Sequence, residues 1–268
     1  MTTTQMPRTR RGHSDLQPEP VRRIDWRAIL LVCAMLSAPL YIAMDLTSAL
    51  LYDGYNYKDQ TISELSAIGA PTRPFWIPLG FAYSGLLIAG AIGIWKSAGH
   101  SRGLMIIAVL VGIVGILGYV GWPFAPMHQR EVLAAGGGTT SDTMHLILGG
   151  INTVLFFLML ALGALAMGKN FRLYSIATIL LMVIFGTLMG LETADVADNE
   201  PTPWLGIWER LAVESPMVWI TVLAAVLLYR MRGSPAREPD LSGQTEVAGS
   251  TASETVAPAK HGGILRSR

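Results

Sequence analysis

Apolar residues along this chain fall in long blocks separated by short polar segments. About 20 mainly apolar residues are needed to cross a bilayer as a helix. Six blocks reach that length, and none alternates with the period of two that is typical of a strand. The pattern predicts an all-α, polytopic integral membrane protein, a bundle of six transmembrane helices. The blocks are residues 26–51, 75–95, 103–122, 144–167, 173–191 and 204–229.

The amino-acid composition also indicates that much of the protein surface contacts lipid. Of 268 residues 51% are hydrophobic and only 15% are charged, against about 25% charged in an ordinary soluble domain. The net charge of +1 gives no basic field for nucleic acid. The polar ends of the chain, residues 1–25 and 233–268, are rich in Pro, Arg, Ser and Thr. They are predicted to be disordered cytoplasmic tails flanking a membrane domain over residues 26–232.

Basic residues predict the orientation. They concentrate before the first block, between the second and third, between the fourth and fifth, and after the sixth. The positive-inside rule then places both termini in the cytoplasm. The basic residues concerned are Arg22, Arg23, Arg27, Lys96, Arg102, Lys169, Arg172, Arg230 and Arg232.

Acidic residues are confined to the opposite, outer side. No Asp or Glu lies in the two predicted cytoplasmic loops, so polar chemistry is expected at the outer surface. The acids of the membrane domain are Asp45, Asp53, Asp59, Glu64, Glu131, Asp142, Glu192, Asp195, Asp198, Glu200, Glu209 and Glu214.

Asp45 is an ionisable residue within the first transmembrane block. A charge there is costly in lipid, so it should face the bundle interior or a wet cavity. Two interpretations stay open: a functional carboxylate, or a structural pair with Arg210 or another outer polar group. In the last block Arg210 and Glu214 are spaced to pair along the helix, and Glu209 is a further candidate.

The first outer loop contains a capping signature. Thr61 and Glu64 have the spacing of a capping box, which predicts a short helix here. An alternative interpretation places Ser63 and Glu64 at the rim of a substrate pocket.

The second outer loop holds the two outer histidines, His128 and His145. Together with Asp142 they are a plausible zinc ligand set. The alternative is a pair of interfacial histidines bonded to helix ends or to nearby acids. Ser141 or Asp142 is expected to cap the fourth transmembrane helix.

Small residues recur at helix-contact spacing. Gly186 and Gly190 form a GxxxG pair, and Gly112, Gly115 and Gly118 form a second stripe. Such spacing predicts close packing between helices of the chain, with homodimerisation as the alternative.

Several short motifs carry a family resemblance. They are the segment 59–71 with Ser63-Glu64-Leu65, the segment 121–124, the Asp142 and His145 pair, and Glu209-Arg210. In this order they resemble the bacterial and archaeal membrane family called domain of unknown function 998, over roughly residues 27–232. The resemblance implies a multi-pass membrane protein of unknown activity, in a bacterial cytoplasmic (inner) membrane. The outer Ser, Asp and His also loosely resemble those of the seven-helix membrane hydrolases that include ceramidases, although this chain has six spans and no HxxxH.

Three functions are compatible with these features. The first is a metal-dependent hydrolase of a lipid or envelope amphiphile, with zinc held by His128, Asp142 and His145, or with these residues acting as base and orienting acid. The second is a transporter of a small solute, proton or cation, or a ligand sensor, which binds a lipid or small molecule on the outer face. The third is an assembly partner of another membrane protein. The candidate site residues are Asp45, Ser63, His128, Asp142, His145 and Glu209.

Overall fold

The computed structural model describes residues 25–233, and all the regular secondary-structure elements in that range are helices. Six of the helices are long and apolar enough to cross a membrane, which confirms the predicted six-helix fold. The tails predicted to be disordered lie outside the described residues, apart from Asp25 and Gly233. The long helices are α1 (Trp26–Leu51), α2 (Arg73–Ser97), α3 (Arg102–Val120), α5 (Thr140–Ala166), α6 (Lys169–Leu191) and α8 (Leu205–Gly233).

Four short elements join the long helices. They are a 3₁₀ helix at Ile62–Ser66, a second at Trp122–Phe124, α4 (Arg130–Ala134) and α7 (Thr193–Ala197). All four belong to the segments 52–72, 121–139 and 192–204, which connect the long helices at one end of the bundle. We call this the polar end.

Neighbouring helices pack in chain order. α1 packs on α2, α2 on α3, α3 on α5, and α5 on α6. The indole Nε1 of the buried Trp219 on α8 donates to Ser175 Oγ on α6 at 2.9 Å. Arg210 on α8 also bonds Asp45 on α1. The last helix therefore contacts the first, and the long helices surround a common interior.

Small residues set the closest helix approaches. A Cβ on Gly115 would come within 3.0 Å of the Ser84 carbonyl oxygen, and one on Gly118 would clash with the Ser84 side chain. The stripe on α3 therefore packs on α2 as predicted. The contact predicted for Gly186 and Gly190 is wrong, because a Cβ on either would meet nothing within 4 Å. The GxxxG spacing identifies a small-residue face of the helix but not what lies opposite it.

Large apolar side chains cover the outside of the bundle. Leu50, Val154 and Leu165 are exposed by 85%, 57% and 76%. Exposed apolar surface repeated along the helices needs an apolar environment. A lipid bilayer supplies it, which agrees with the predicted membrane location.

The start of α5 differs from the prediction. The N-cap is Thr139, whose side chain accepts from Ser141 N, so neither Ser141 nor Asp142 is the cap residue. Asp142 instead acts from the third helical position, where its Oδ2 accepts from Thr139 N at 2.8 Å. In a capping box the two side chains satisfy free N–H groups at both positions, and α5 begins at Thr140, directly after its cap.

Candidate functional site

Asp45 is fully buried and forms a bidentate pair with Arg210. The Arg210 Nε and Nη2 atoms donate to the two carboxylate oxygens at 2.8 and 3.0 Å. Arg210 also donates to the Tyr57 carbonyl and to the Tyr55 hydroxyl, at 2.9 and 2.8 Å. This is the structural pairing that the sequence left open, and Arg210 pairs with Asp45 rather than with Glu214.

A second buried pair joins Glu64 to Arg130. Arg130 Nε and Nη2 donate to the Glu64 carboxylate at 2.7 and 2.9 Å. The same carboxylate accepts from Thr61 N at 2.7 Å, which confirms the predicted capping box. Burial raises the pKa of Glu64, but the hydrogen bonds and charge of Arg130 lower the pKa by a larger amount, so it lies below its ordinary value. The 3₁₀ helix that contains Ser63 is thereby fixed to α4.

The segment around Ser63 has three further attachments. Ile62 N, one residue before Ser63, donates to Glu209 Oε2 of α8 at 2.5 Å. The Thr72 hydroxyl donates to the Leu65 carbonyl at 2.6 Å. Ile68 N donates to the Met127 carbonyl at 2.8 Å. Contacts to α8 and to the segment 121–139 therefore hold the Ser63 backbone in one position.

His145 and Ser63 are in direct contact. The imidazole Nε2 lies 2.9 Å from Ser63 Oγ, and Nδ1 lies 2.8 Å from the Ala125 carbonyl oxygen. A carbonyl oxygen can only accept, so Nδ1 carries the proton that it receives. In the neutral ring Nε2 is then the acceptor, and the Ser63 hydroxyl donates to it. The edge of His145 also packs on the Trp122 ring, with centroids 4.9 Å apart.

Asp142 is bonded to the other histidine. His128 Nδ1 lies 2.9 Å from Asp142 Oδ2, and His128 N donates to Asp142 Oδ1 at 2.7 Å. Asp142 therefore orients His128, and the Ala125 carbonyl orients His145. Asp142 therefore does not bridge the two histidines.

The zinc site predicted at His128, Asp142 and His145 finds no support in this geometry. Among residues 25–233 no group of three or more His, Cys, Asp or Glu side chains is arranged to hold a metal ion. The observed arrangement matches the alternative interpretation, in which the outer histidines bond nearby backbone and acidic groups. Spacing along the chain could not separate the two, because His128 and His145 lie on different elements.

A cavity of about 720 Å³ opens beside Ser63 and His145. Its volume lies within the roughly 300–1,000 Å³ range of ligand pockets. The polar residues that line it near the polar end include Ser63, Ser66, Arg73, Asp142, His145 and Glu209. Most of the remaining wall is apolar, and it includes Val114, Phe156, Phe157, Met182 and Met217.

The site has members that the sequence did not single out. Ala125 contributes only a backbone carbonyl, so no side-chain pattern could reveal it. Arg130 belongs to no sequence motif, yet it is buried and paired with Glu64. Arg73 lines the cavity, and one guanidinium nitrogen donates to the Ser66 carbonyl at 2.5 Å.

A family comparison covers most of this bundle. The family described as "Protein of unknown function (DUF998)" matches residues 35–226. The chain belongs to this family. The matched range contains Ser63, His145, Asp45 and Glu209, so the whole candidate site lies within the DUF998 region. Comparisons with curated proteins and with solved structures found no significant match, and the likeness to ceramidases gains no support from them.

Proposed function

We propose that this DUF998 protein is a membrane hydrolase that cleaves an acyl ester or amide bond of an amphiphile, with Ser63 as nucleophile and His145 as general base. One observation carries the proposal: Ser63 Oγ donates to His145 Nε2 at 2.9 Å while the other ring nitrogen is held by a carbonyl. A nucleophile, a base within hydrogen-bond reach and a group that orients the base are the shared features of serine hydrolases.

The reaction follows from this hydrogen bond. Ser63 Oγ bonds the acyl carbon as its proton passes to His145 Nε2. The imidazolium then gives that proton to the leaving oxygen or nitrogen, and the bond between it and the acyl carbon breaks. In the second half a water molecule gives a proton to Nε2 and attacks the acyl-serine. The carboxylic acid leaves, and the proton returns to Ser63 Oγ.

Charge develops on the acyl oxygen and on the imidazole during the reaction. Arg73 lies on the same cavity wall and is the candidate for stabilising the negative oxygen. The Ala125 carbonyl dipole points at Nδ1 and favours the protonated ring. A neutral carbonyl stabilises an imidazolium less than a carboxylate does, so modest turnover is expected.

The cavity suits an amphiphile. Its charged residues lie near the polar end, where a head group would meet water, and its deeper wall is mainly apolar. Gly149 and Gly186 line this deeper part, and a Cβ on either would meet nothing within 4 Å. This space can take a hydrocarbon chain between α5 and α6.

We also propose that the polar end faces outward from a bacterial cytoplasmic membrane, with both termini inside. The support is the distribution of Lys and Arg, which are frequent in the segments at the opposite end. The substrate would then be a lipid or envelope amphiphile in the outer leaflet.

Ester hydrolysis by the purified protein tests the function. p-Nitrophenyl decanoate in dodecylmaltoside micelles supplies a single acyl chain and a coloured leaving group. Ser63→Ala and His145→Gln should each lower turnover about 10²- to 10⁴-fold, because each removes a group that acts in the transition state. Ser66→Ala is the matched control, since Ser66 lies on the same 3₁₀ helix and lines the same cavity.

Activity in the control and loss in the other two would support the proposal. Equal activity in all three variants would overturn it, and the transport and assembly hypotheses would then be the ones to pursue. The thermal unfolding midpoint of each variant is measured, so that a misfolded variant is not mistaken for a folded but inactive one.

A further inference from the structure

Glu209 is a buried carboxylate without a cation from the chain. Its side chain is 9% exposed and lines the cavity. One oxygen accepts from Ile62 N, and no ion pair joins this carboxylate to a basic side chain of residues 25–233. Buried charges in proteins are normally paired or neutralised by a proton, and a cationic ligand group at this cavity wall would supply the partner that the chain does not.

The basic side chain next to Glu209 in the sequence is already occupied. Arg210 follows Glu209 in sequence, but its guanidinium forms the bidentate pair with Asp45 and donates to the Tyr57 and Gly206 carbonyls. Asp45 already neutralises Arg210, so an ionised Glu209 has no ion-pair partner among the described residues. An ammonium group would supply that partner in this part of the cavity.

Glu209 is also close to the proposed nucleophile. Its carboxylate bonds the N–H of Ile62, and Ser63 is the next residue. Consecutive Cα atoms are about 3.8 Å apart. A cation bound to Glu209 would therefore sit within a head group's length of the acyl carbon attacked by Ser63.

We propose that Glu209 forms a cation subsite that binds a protonated amine in the head group of the amphiphile. The substrate class is then an acyl ester or amide whose leaving group carries an ammonium. This proposal rests on the proposed function only for the role of Ser63, because the subsite can bind an amine without any reaction.

Binding to a variant that cannot form an acyl-enzyme tests the subsite separately from hydrolysis. Dodecylammonium and dodecanol share one chain and differ in head group. In Ser63→Ala protein, calorimetric titration in micelles should show the ammonium binding about 10- to 100-fold more tightly, the range expected for a hydrogen bond to a charged group. Adding Glu209→Gln should abolish this preference, although a Gln carbonyl can still accept from Ile62 N.

Glu214→Gln is the matched control. Glu214 lies on the same helix and is partly buried, but it is not part of the cavity wall. The preference should survive in this variant. Equal affinities for the two probes in Ser63→Ala protein would overturn the proposal, and so would a preference that survives Glu209→Gln. If Glu209→Gln fails to fold, the comparison of probes in Ser63→Ala protein decides alone. A Glu209-dependent preference in a protein that hydrolyses no ester would keep the subsite and reject the hydrolase.

Discussion

Replacing Glu64 by Gln should destabilise the protein strongly, because every neighbour of its carboxylate is a donor. Oε1 accepts from Gln60 Nε2 and Arg130 Nε at 3.0 and 2.7 Å. Oε2 accepts from Thr61 N, the Thr61 hydroxyl and Arg130 Nη2 at 2.7, 2.9 and 2.9 Å. The carboxylate is fully buried, so water cannot take over any of these contacts.

A Gln amide cannot satisfy all of these donors in either of its two orientations. If its NH₂ replaces Oε1 it faces Arg130 Nε, and if it replaces Oε2 it faces Thr61 N and Arg130 Nη2. The Gln60 amide can flip and the Thr61 hydroxyl can rotate, but the N–H groups of Arg130 and of the backbone cannot become acceptors. Arg130 also loses its counter-charge. Breaking a buried pair by removing one partner costs about 3–5 kcal/mol, and we expect Glu64→Gln to fall in that range.

Equilibrium unfolding in mixed dodecylmaltoside and dodecylsulfate micelles measures this loss. Glu131→Gln is the control, because Glu131 is a neighbouring but exposed carboxylate, and its replacement should change the free energy of unfolding by less than about 0.5 kcal/mol. Glu64→Gln should also lower ester hydrolysis, since Ser63 is its neighbour. Equal stability of the two variants would refute the assignment of Glu64 as the main attachment of this segment.

Three further predictions concern the same framework. Asp45→Asn should lower the free energy of unfolding by about 3–5 kcal/mol. The double variant Asp45→Leu/Arg210→Met should lose less stability than the sum of the two single variants, and additive losses would contradict the pairing. Gly90→Ala should destabilise the protein by about 1–3 kcal/mol, because the new Cβ would lie 2.9 Å from the Ala34 Cα. In Gly149→Ala the new Cβ meets open space, so this variant should be nearly neutral in the same assay. Equal losses in the two variants would contradict the helix packing. The folded pKa of Glu64 lies below its ordinary value, so the stability that its carboxylate contributes is present above the unfolded pKa and is lost as the pH falls through the lower folded pKa. Unfolding measured across the acid range should show a steeper loss in wild type than in Glu64→Gln, and parallel curves would contradict this.

The fold could be predicted from the sequence because membrane helices are encoded locally. Each span needs about 20 apolar residues in succession, and the observed ends lie within a few residues of most of the predicted ones. The capping box at Thr61 and Glu64 is local as well, and it was predicted correctly.

The candidate site depends on distant residues and was only partly accessible. Ser63 and His145 are 82 positions apart, and Glu64 and Arg130 are 66 apart. Residue type marks several members as candidates, but spacing along the chain cannot assign most of their partners. It groups His128, Asp142 and His145 in one site, whereas His128 bonds Asp142 and His145 bonds Ser63. The Ala125 carbonyl was inaccessible in principle, since every residue has one.

The most direct test of the central claim is to find which residue a serine-directed reagent modifies. A long-chain alkyl fluorophosphonate would be reacted with the folded wild-type protein, and the adduct would be located by peptide mass spectrometry. We predict one adduct, on Ser63, that requires His145 and is slowed by excess p-nitrophenyl decanoate. An adduct on another residue, or equal labelling of Ser63 in His145→Gln, would contradict the account.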